Sequence, residues 1–552
     1  MDDKLKIEIS KYDPPEKDKR TDAFISLYYV VILLLIGVPM WYLTTTTYRA
    51  SLPTSDIYKF SNSEISIVLK INLINFDGNV DMDDLFTLQD KLLKELQNNK
   101  KGKNVKFDFA GYVRQATNDE MKIYQLAKKL SDLDQITTKL PPNDIYALLI
   151  PSKSSLLSVY RKGVIRSKSD RNVIVLPFES LNLTQDLILR ILTGLLARND
   201  DLNVVYEAAQ HVPEKESLNE IPKRIRSILT RIRTAAKYEW TFSLIVPRPK
   251  ADSVKEWNFP RLEHLFLEPL IRKLAPFVRI KVSSQIIYGV VLERIWSPRF
   301  RSEGRRVYSR EDLTHVVNGI ETYLGSSNGL NFVGYIASSS EKESGLHLDG
   351  QTSDIDAFTV PRWGGVVLMN NVTLPIEDDS LMGIFVPQIT SLMGISRSAI
   401  NSILPFEEFD VPGIPVWQID NWLRHRTVEN LAITRVTLDS ILILLDKVVN
   451  MVIRDDVAAH IRSAVDLSLN SLAALKSTSD NSLQVAFLSS KQALEAAETA
   501  FFHPSLLELL YFQDDQKIGI YIPLFVPILL PVLLTAMKAK PFLLSLIKRK
   551  ID

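Results

Sequence analysis

The sequence predicts an α/β protein in which two transmembrane helices flank a large mixed α/β domain with a C-terminal helical segment. Three observations carry this reading. Uncharged apolar runs stand near both ends, at Ala23–Leu43 and Ile518–Met537. Between them, short apolar runs alternate with amphipathic helical patterns, as in a sheet with helices on its faces. From about Val416 the strand signals fade and long helical periodicity takes over.

The first apolar run, AFISLYYVVILLLIGVPMWYL, carries no charge. At about 1.5 Å per residue it matches a hydrocarbon core of roughly 30 Å. Tyr28, Tyr29, Trp41 and Tyr42 lie toward its ends, where amphipathic rings favour the membrane interface. It is longer than a signal-peptide apolar region and no small-residue cleavage site follows, so it reads as a retained anchor. The second run is IGIYIPLFVPILLPVLLTAM. Lys4, Lys6, Lys11, Lys17, Lys19 and Arg20 precede the first span; Lys538, Lys540, Lys548, Arg549 and Lys550 follow the second. The positive-inside rule therefore places both tails in the cytosol and the body between them in a lumen. The expected layout is a cytosolic tail 1–22, a span 23–43, a lumenal α/β domain 44–415, a lumenal helical region 416–517, a span 518–537 and a basic cytosolic tail 538–552.

Composition narrows the class. The 552 residues are 46% hydrophobic and 24% charged, enough for a folded core. Lys+Arg number 66 against 65 Asp+Glu, a net charge of +1 that gives no basic footprint for nucleic acid. Cysteine is absent, which excludes disulfides, thiolate metal sites and any cysteine nucleophile supplied by this chain.

Within the body, strand-like runs are expected at Ile65–Asn75, Val105–Phe109, Ile145–Pro151, Asn172–Phe178, Trp240–Val246, Val278–Val282, Leu330–Ala337 and Val366–Met369. Helical patterns lie at Asp83–Leu96, Asp119–Leu133, Leu183–Ala197, Ile221–Ala236, Arg261–Ala275 and Arg310–Leu324. Further on come Thr434–Ile453, Asp456–Leu475 and Ser482–Phe502, read as a helical hairpin or small bundle. No internal repeat is visible, and strand order does not follow from the pattern.

Chemical motifs are few. Gly325-Ser326-Ser327-Asn328-Gly329 matches the G-x-S-x-G elbow, yet a helical pattern precedes it and a strand follows, the reverse of what that motif needs. Asp81-x-Asp83, Asp132-x-Asp134 and Asp354-x-Asp356 match the acidic pair that holds a metal–nucleotide-sugar in many lumenal glycosyltransferases. The first two read as helix caps or first-turn acids. Asp354 and Asp356, near His347 and Asp349, define the alternative reading of the chain, a lumenal metal-dependent glycosyltransferase-like enzyme; a solvated acidic loop is the plainer one. The 7 histidines form no metal-ligating pair, so no metal or cofactor is called for. Arg424-His425-Arg426 beside Trp422 reads as a solvated helix face or an anion-binding edge.

Two sequons, at Asn182 and Asn371, lie in the lumenal body as acceptors for N-glycans. Lys548 and Lys550 have the spacing of a dilysine retrieval signal to the endoplasmic reticulum; ordinary positive-inside flanking is the other reading. Pro523, Pro527 and Pro531 line one face of the second span. Each removes a helical donor inside the bilayer, where unsatisfied carbonyls cost several kcal/mol, so a partner helix or a lipid head group is expected against that face; a merely kinked anchor, satisfied by side chains and waters, is the other reading.

Four strings run in order along the chain: Thr47-Tyr48-Arg49-Ala50-Ser51-Leu52-Pro53, Pro361-Arg362-Trp363-Gly364-Gly365, His503-Pro504-Ser505-Leu506-Leu507 and Tyr511–Pro527. With them the chain resembles, end to end, the PIG-S subunit family of the glycosylphosphatidylinositol (GPI) transamidase. That resemblance implies a non-catalytic subunit of an endoplasmic-reticulum membrane complex that cleaves C-terminal GPI signals and attaches preformed GPI anchors. It implies as partners a PIG-K-like cysteine protease carrying the catalytic cysteine, PIG-T-like, PIG-U-like and GPI-attachment-protein-like subunits, membrane lipid and the GPI lipid. It brings no catalytic residue to this chain.

Overall fold

A computed structural model describes residues 16–37, 39–40, 48–98, 104–141, 144–158, 163–166, 172–193, 199–210, 237–246, 257–289, 300–302, 305–308, 329–336, 346–348, 355–369, 378–395, 414–448 and 451–507, with positions 519, 522, 523, 526, 527, 530, 531, 534 and 537. The chain forms two compact units. One comprises 55–438 and 463–497; the other comprises 1–54, 439–462 and 498–552.

The larger unit begins with helix α1 (Thr54–Ser61) leading into strand β1 (Ile65–Asn75), helix α2 (Met82–Asn98), β2 (Val105–Gln115) and helix α3 (Asn118–Leu126). Then come β3 (Ile145–Pro151), the short β4 (Val164–Arg166), β5 (Asn172–Phe178) and helices α4 (Leu181–Ile191) and α5 (Asn199–Gln210). The sheet order is β2-β1-β3-β5-β4. All neighbours are parallel except β4 against β5. β3 and β5 are buried over six successive positions, which explains their unbroken apolar sequences: a strand covered by helices on both faces has no polar side. Alternate residues of β3 feed two cores. Ile145, Ala147 and Leu149 pack with Leu85, Leu88 and Leu92 of α2. Tyr146, Leu148 and Ile150 pack with Leu130, Leu133 and Ile136 on the other face. The helical pattern over Asp119–Leu133 is broken here. α3 ends at Leu126, and a separate short turn spans Leu130–Leu133, with Asp132 accepting from the Lys128 and Lys129 amides at 2.8 and 2.9 Å.

A second sheet comprises β6 (Lys237–Val246), β7 (Arg279–Tyr288), β8 (Leu330–Ile336), β9 (Ile355–Val360) and β10 (Gly364–Met369), in the order β7-β6-β8-β10-β9. Again every pair is parallel except the last. Numbered from its own first strand, each sheet therefore reads 2-1-3-5-4, with an antiparallel edge strand inserted just before the final parallel strand. The larger unit holds the same doubly wound topology twice, a repeat that the sequence does not display. A small third sheet joins Phe300–Ser302, Arg305–Tyr308 and Leu346–Leu348.

Helix α6 (Asp378–Met393) follows the second sheet, and then α7 (Val416–Lys447), α8 (Asp455–Lys476) and α9 (Ser482–Phe501). The expected helices at Asp456–Leu475 and Ser482–Phe502 agree with α8 and α9 to within a residue. α7 starts 18 residues before the Thr434 expected from periodicity, because its first turns are buried on nearly every side and so show no amphipathic stripe.

In the smaller unit a helix runs Glu16–Ile32 and continues as a wider-turned segment, Leu33–Gly37. It starts in the charged tail, ahead of the expected span, and Phe24, Tyr28, Leu34, Leu35 and Ile36 are exposed along it. Among the described residues no helix is long and apolar enough to cross a membrane. Residues 41–47 and much of 518–537 lie outside them.

Candidate functional site

The expected site residues are placed as follows. Asn182 is exposed in the first turn of α4. Pro523, Pro527 and Pro531 stand in helical backbone and are exposed, with Ile522, Val526 and Leu530 beside them. Asn371, Asp354, Ser326, Lys548 and Lys550 lie outside the described residues. Asp356 is fully buried in β9, opposite Leu368 of β10. Among the described residues no three His, Asp or Glu side chains converge on a metal-sized point. Asp81 acts as the cap of α2, its Oδ1 accepting the Met82 amide at 2.7 Å, and Asp83 sits in that helix's acidic first turn.

The densest polar chemistry of the larger unit lies along α7. Gln418, Asp420, Arg424, Arg426, Thr427, Asn430, Thr434 and Arg435 are all buried. This corrects the reading of Arg424-His425-Arg426: both arginines are interior, neither a solvated face nor an anion-binding edge. Asp420 accepts from Asn172 Nδ2, at the start of β5, at 2.5 Å. Trp417 joins the core under the first sheet. Arg426 Nη2 and Trp422 Nε1 both donate to the Met393 carbonyl, at 2.7 and 3.0 Å, closing the C-terminal end of α6. The other Arg426 amino group meets Glu429 at 2.7 Å. Burial works to lower the Arg426 pKa, and the carboxylate of Glu429 with nearby Tyr238 more than restores it. At Arg424 burial prevails over the attraction of Asp420 and the pKa falls.

Arg435 uses the same device at another helix end. Its Nη2 donates to the Phe60 and Ser63 carbonyls, each at 2.9 Å, and its Nη1 to the Tyr206 hydroxyl at 2.7 Å. Its guanidinium also lies over the Phe60 and Tyr206 rings, 5.1 and 5.7 Å from their centres. A helix leaves its last carbonyls without internal donors, and a planar cation satisfies several of them while complementing the dipole.

In the smaller unit Arg49 does this for α7. Its Nη2 reaches Val448 O at 2.8 Å and its Nε reaches Met451 O at 3.1 Å. The flanking backbone pairs with Ile453 through Ala50 N–H and Tyr48 C=O, at 3.0 and 3.2 Å. Tyr48 donates to Asp455 at 2.8 Å, which raises its pKa, and Arg462 donates to Ser51 O at 2.6 Å. The Tyr48–Ser51 part of that string is thus a clamp on the α7–α8 connection.

The Pro361–Gly365 string is a turn between β9 and β10. Trp363 N–H closes onto Val360 O at 3.2 Å, with Pro361 and Arg362 (φ 60°) as its central residues. Gly364 has φ 151° and lies so close to the Asn331 backbone that a Cβ would overlap it; at Gly365 a Cβ would meet Gln388.

Two arrangements resemble reactive sites. Ser505 Oγ lies 2.8 Å from His503 Nδ1, and His503 Nε2 lies 3.7 Å from Asp456. His503 Nδ1 also accepts the Ser505 amide at 3.3 Å, so the histidine is placed as a cap for the turn that follows, and Asp456 is beyond hydrogen-bond reach. A cavity of about 30 Å³ is lined by Lys70, Asp144, Arg424, Ser479 and Ser482. Its size suits one or two waters and no organic substrate. Burial raises the Asp144 pKa there, opposed by the hydrogen bond from Asn72.

Fold and polar contacts together define a duplicated, doubly wound α/β protein whose cations hold its own helix ends. The profile of the family described as Phosphatidylinositol-glycan biosynthesis class S protein matches residues 28–542. The chain is 30% identical over 554 residues to the GPI-anchor transamidase component PIGS of Bos taurus, covering 95% of this chain and 94% of that one. It is 31% identical over 550 residues to the protein of that name from Homo sapiens, with the same coverage. To the GPI transamidase component PIG-S homolog of Schizosaccharomyces pombe it is 24% identical over 528 residues, 92% of this chain and 82% of that one. The chain belongs to the PIG-S family. These matches lend nothing to the alternative built on Asp354 and Asp356.

Proposed function

We propose that this chain is a non-catalytic subunit of the GPI transamidase, the complex that cleaves C-terminal GPI signals and joins the new carboxyl end to a preformed GPI lipid. The observation that carries the reading is similarity over nearly the whole chain to proteins named as components of that complex. Transfer through a thioester needs a thiol, and this chain has 0 cysteines. The nucleophile is therefore assigned to a PIG-K-like protease, accompanied by PIG-T-like, PIG-U-like and GPI-attachment-protein-like subunits. The runs Ala23–Leu43 and Ile518–Met537 anchor the chain in the endoplasmic-reticulum membrane, with both tails cytosolic and the body lumenal. The Pro523–Pro531 face, exposed in helical backbone, meets a partner helix or the GPI lipid through carbonyls that the prolines release.

The test is replacement of the native subunit in cells carrying a GPI-anchored surface reporter, followed by purification in mild detergent. The expected result is restored reporter and recovery of a caspase-like cysteine protease with multi-span subunits. Recovery of a lone chain without restored reporter would overturn the reading. Asp354→Ala is expected to leave reporter display unchanged; its loss at normal chain abundance would return the metal-dependent alternative.

A further inference from the structure

We propose that Asn182 carries an N-glycan, and that it is attached before α4 and the sheet beneath it fold. The inference rests on the lumenal placement of the body described above. Its carrying observation is Thr184. This side chain is 2% exposed, and its hydroxyl has no hydrogen-bond partner among the described residues. A buried hydroxyl without a partner lowers stability, whereas valine has nearly the same shape and no polar atom to strand. In the folded unit threonine is thus the poorer residue at this place. Its hydroxyl has a use only in the unfolded chain, as the third residue of the sequon Asn182-Leu183-Thr184.

The surroundings suit a glycan. Ser180 caps α4, its side chain accepting the Leu183 amide, so Asn182 and Leu183 stand in the first turn facing outward. Leu183 is 60% exposed, an apolar surface beside the acceptor that the first sugar can cover. Leu187 and Ile188 on the same helix turn to the core. A sugar on Asn182 Nδ2 therefore displaces nothing.

The transfer is balanced as follows. The Asn182 amide nitrogen forms a bond to the anomeric carbon of an oligosaccharide carried on a polyprenyl pyrophosphate. The bond from that carbon to the pyrophosphate oxygen breaks, the lipid pyrophosphate leaves, and the amide gives one proton to a base of the transferring enzyme. Because the Thr184 hydroxyl is enclosed once α4 packs, the transferase must read it first.

The experiment uses the full chain in its native membranes. Sealed microsomes are treated with protease, and the protected chain is then released, deglycosylated enzymatically in ¹⁸O-water and mapped by mass spectrometry. Conversion of Asn182 to ¹⁸O-labelled aspartate in most of the protected chain is expected. Asn182→Gln and Thr184→Val should each remove one glycan step in gel mobility, and Thr184→Ser should retain it. The melting temperature of Thr184→Val should equal or exceed that of an Asn182→Gln chain, which equally lacks the sugar. An unmodified Asn182 in a protected body overturns the proposal while leaving the topology standing. Digestion of the body from outside overturns the topology, and the proposal with it. A Thr184→Val chain that melts lower than Asn182→Gln overturns the argument from the buried hydroxyl.

Discussion

Replacing Arg435 by methionine tests whether its contacts carry the stability that their geometry implies. Methionine keeps most of the apolar stem but removes the donor to the Phe60 and Ser63 carbonyls and the Tyr206 hydroxyl, in a site where the arginine itself is 7% exposed. The Phe60 carbonyl keeps Ser63 as a donor and Tyr206 keeps Gln210, so the Ser63 carbonyl is the acceptor the change strands. A buried acceptor left unsatisfied costs about 1–3 kcal/mol, and loss of a desolvated cation from two aromatic rings adds about 1–2 kcal/mol. Removing the buried charge recovers part of this, since its desolvation penalty also disappears. The expected net loss is about 2–4 kcal/mol, a sizeable share of the roughly 5–15 kcal/mol that holds a domain folded. At about 2 °C per kcal/mol for a large domain this is a fall of roughly 4–8 °C in melting temperature, read by thermal denaturation of the purified subunit in mild detergent. Arg435→Lys keeps the charge but not the planar fork, so it should fall between the two. An Arg435→Met chain melting within a degree of the native one would refute the reasoning, because neither the Ser63 carbonyl nor the two aromatic rings would then draw measurable stability from the cation.

Three further outcomes follow. Arg49→Ala removes the donors to Val448 and Met451 and the charge at the end of α7, worth about 1–2 kcal/mol, so limited proteolysis between 440 and 462 should speed up several-fold; an unchanged cleavage rate would count against the clamp. Gly364→Ala asks an L-residue to adopt φ 151° while overlapping the Asn331 backbone, and pulse–chase should show the chain degraded rather than assembled; normal abundance would contradict the turn geometry. Glu120 receives both amino groups of Arg114, at 2.6 and 2.7 Å, and that hydrogen bonding lowers its pKa below the ordinary 4.5. A depressed folded-state pKa gives stability that is present above 4.5 and lost as pH falls through the lower folded value, so Glu120→Gln should be less stable than the native chain at pH 6–7, with the gap narrowing as the pH falls below 4.5 and closing below the folded value. A gap that does not narrow with acidification below 4.5 would mean that charge is not its source.

How legible the structure was depended on burial. β1, β3 and β5 stood in the sequence at their observed ends, because strands covered on both faces or strictly on one leave an apolar run or a clean alternation. The edge strand β7 was read only to Val282 although it runs to Tyr288; Ser283, Ser284 and Gln285 lie where an edge strand tolerates polar residues. β9 was not read as a strand, and Asp356, read with Asp354 as a solvated acidic loop, is instead buried within it. The α7 arginines were hidden in the same way. Position in the sequence gives no sign of whether a guanidinium points to water or to the end of another helix, and Phe60 meets Arg435, and Met393 meets Arg426, only through tertiary packing. Sequence alone gave one pointer to these places, the strings carrying the family resemblance. Two of them, at Tyr48–Ser51 and Pro361–Gly365, prove to be a clamp and a tight turn. What could be recognised in the chain was therefore the geometry of its joints.

The duplicated topology makes the joints necessary. Two doubly wound sheets each bury their own strands, and apolar burial is non-directional: it rewards a covering helix for lying against a sheet without fixing where along it the helix stops. α7 touches both halves. It meets the first through Trp417 and the Asp420–Asn172 bond, and the second through Trp422 and Arg426 at the end of α6. Moving α7 by a single residue would shift these groups about 1.5 Å along the axis and rotate them by about 100°. Asp420 would lose Asn172, and both donors to Met393 would miss their carbonyl. An apolar helix in the same groove would lose little by that slide. The buried charges of α7 thus set one register between the two sheets, a fixed geometry that a subunit holding other chains in place requires and that burial by itself does not supply.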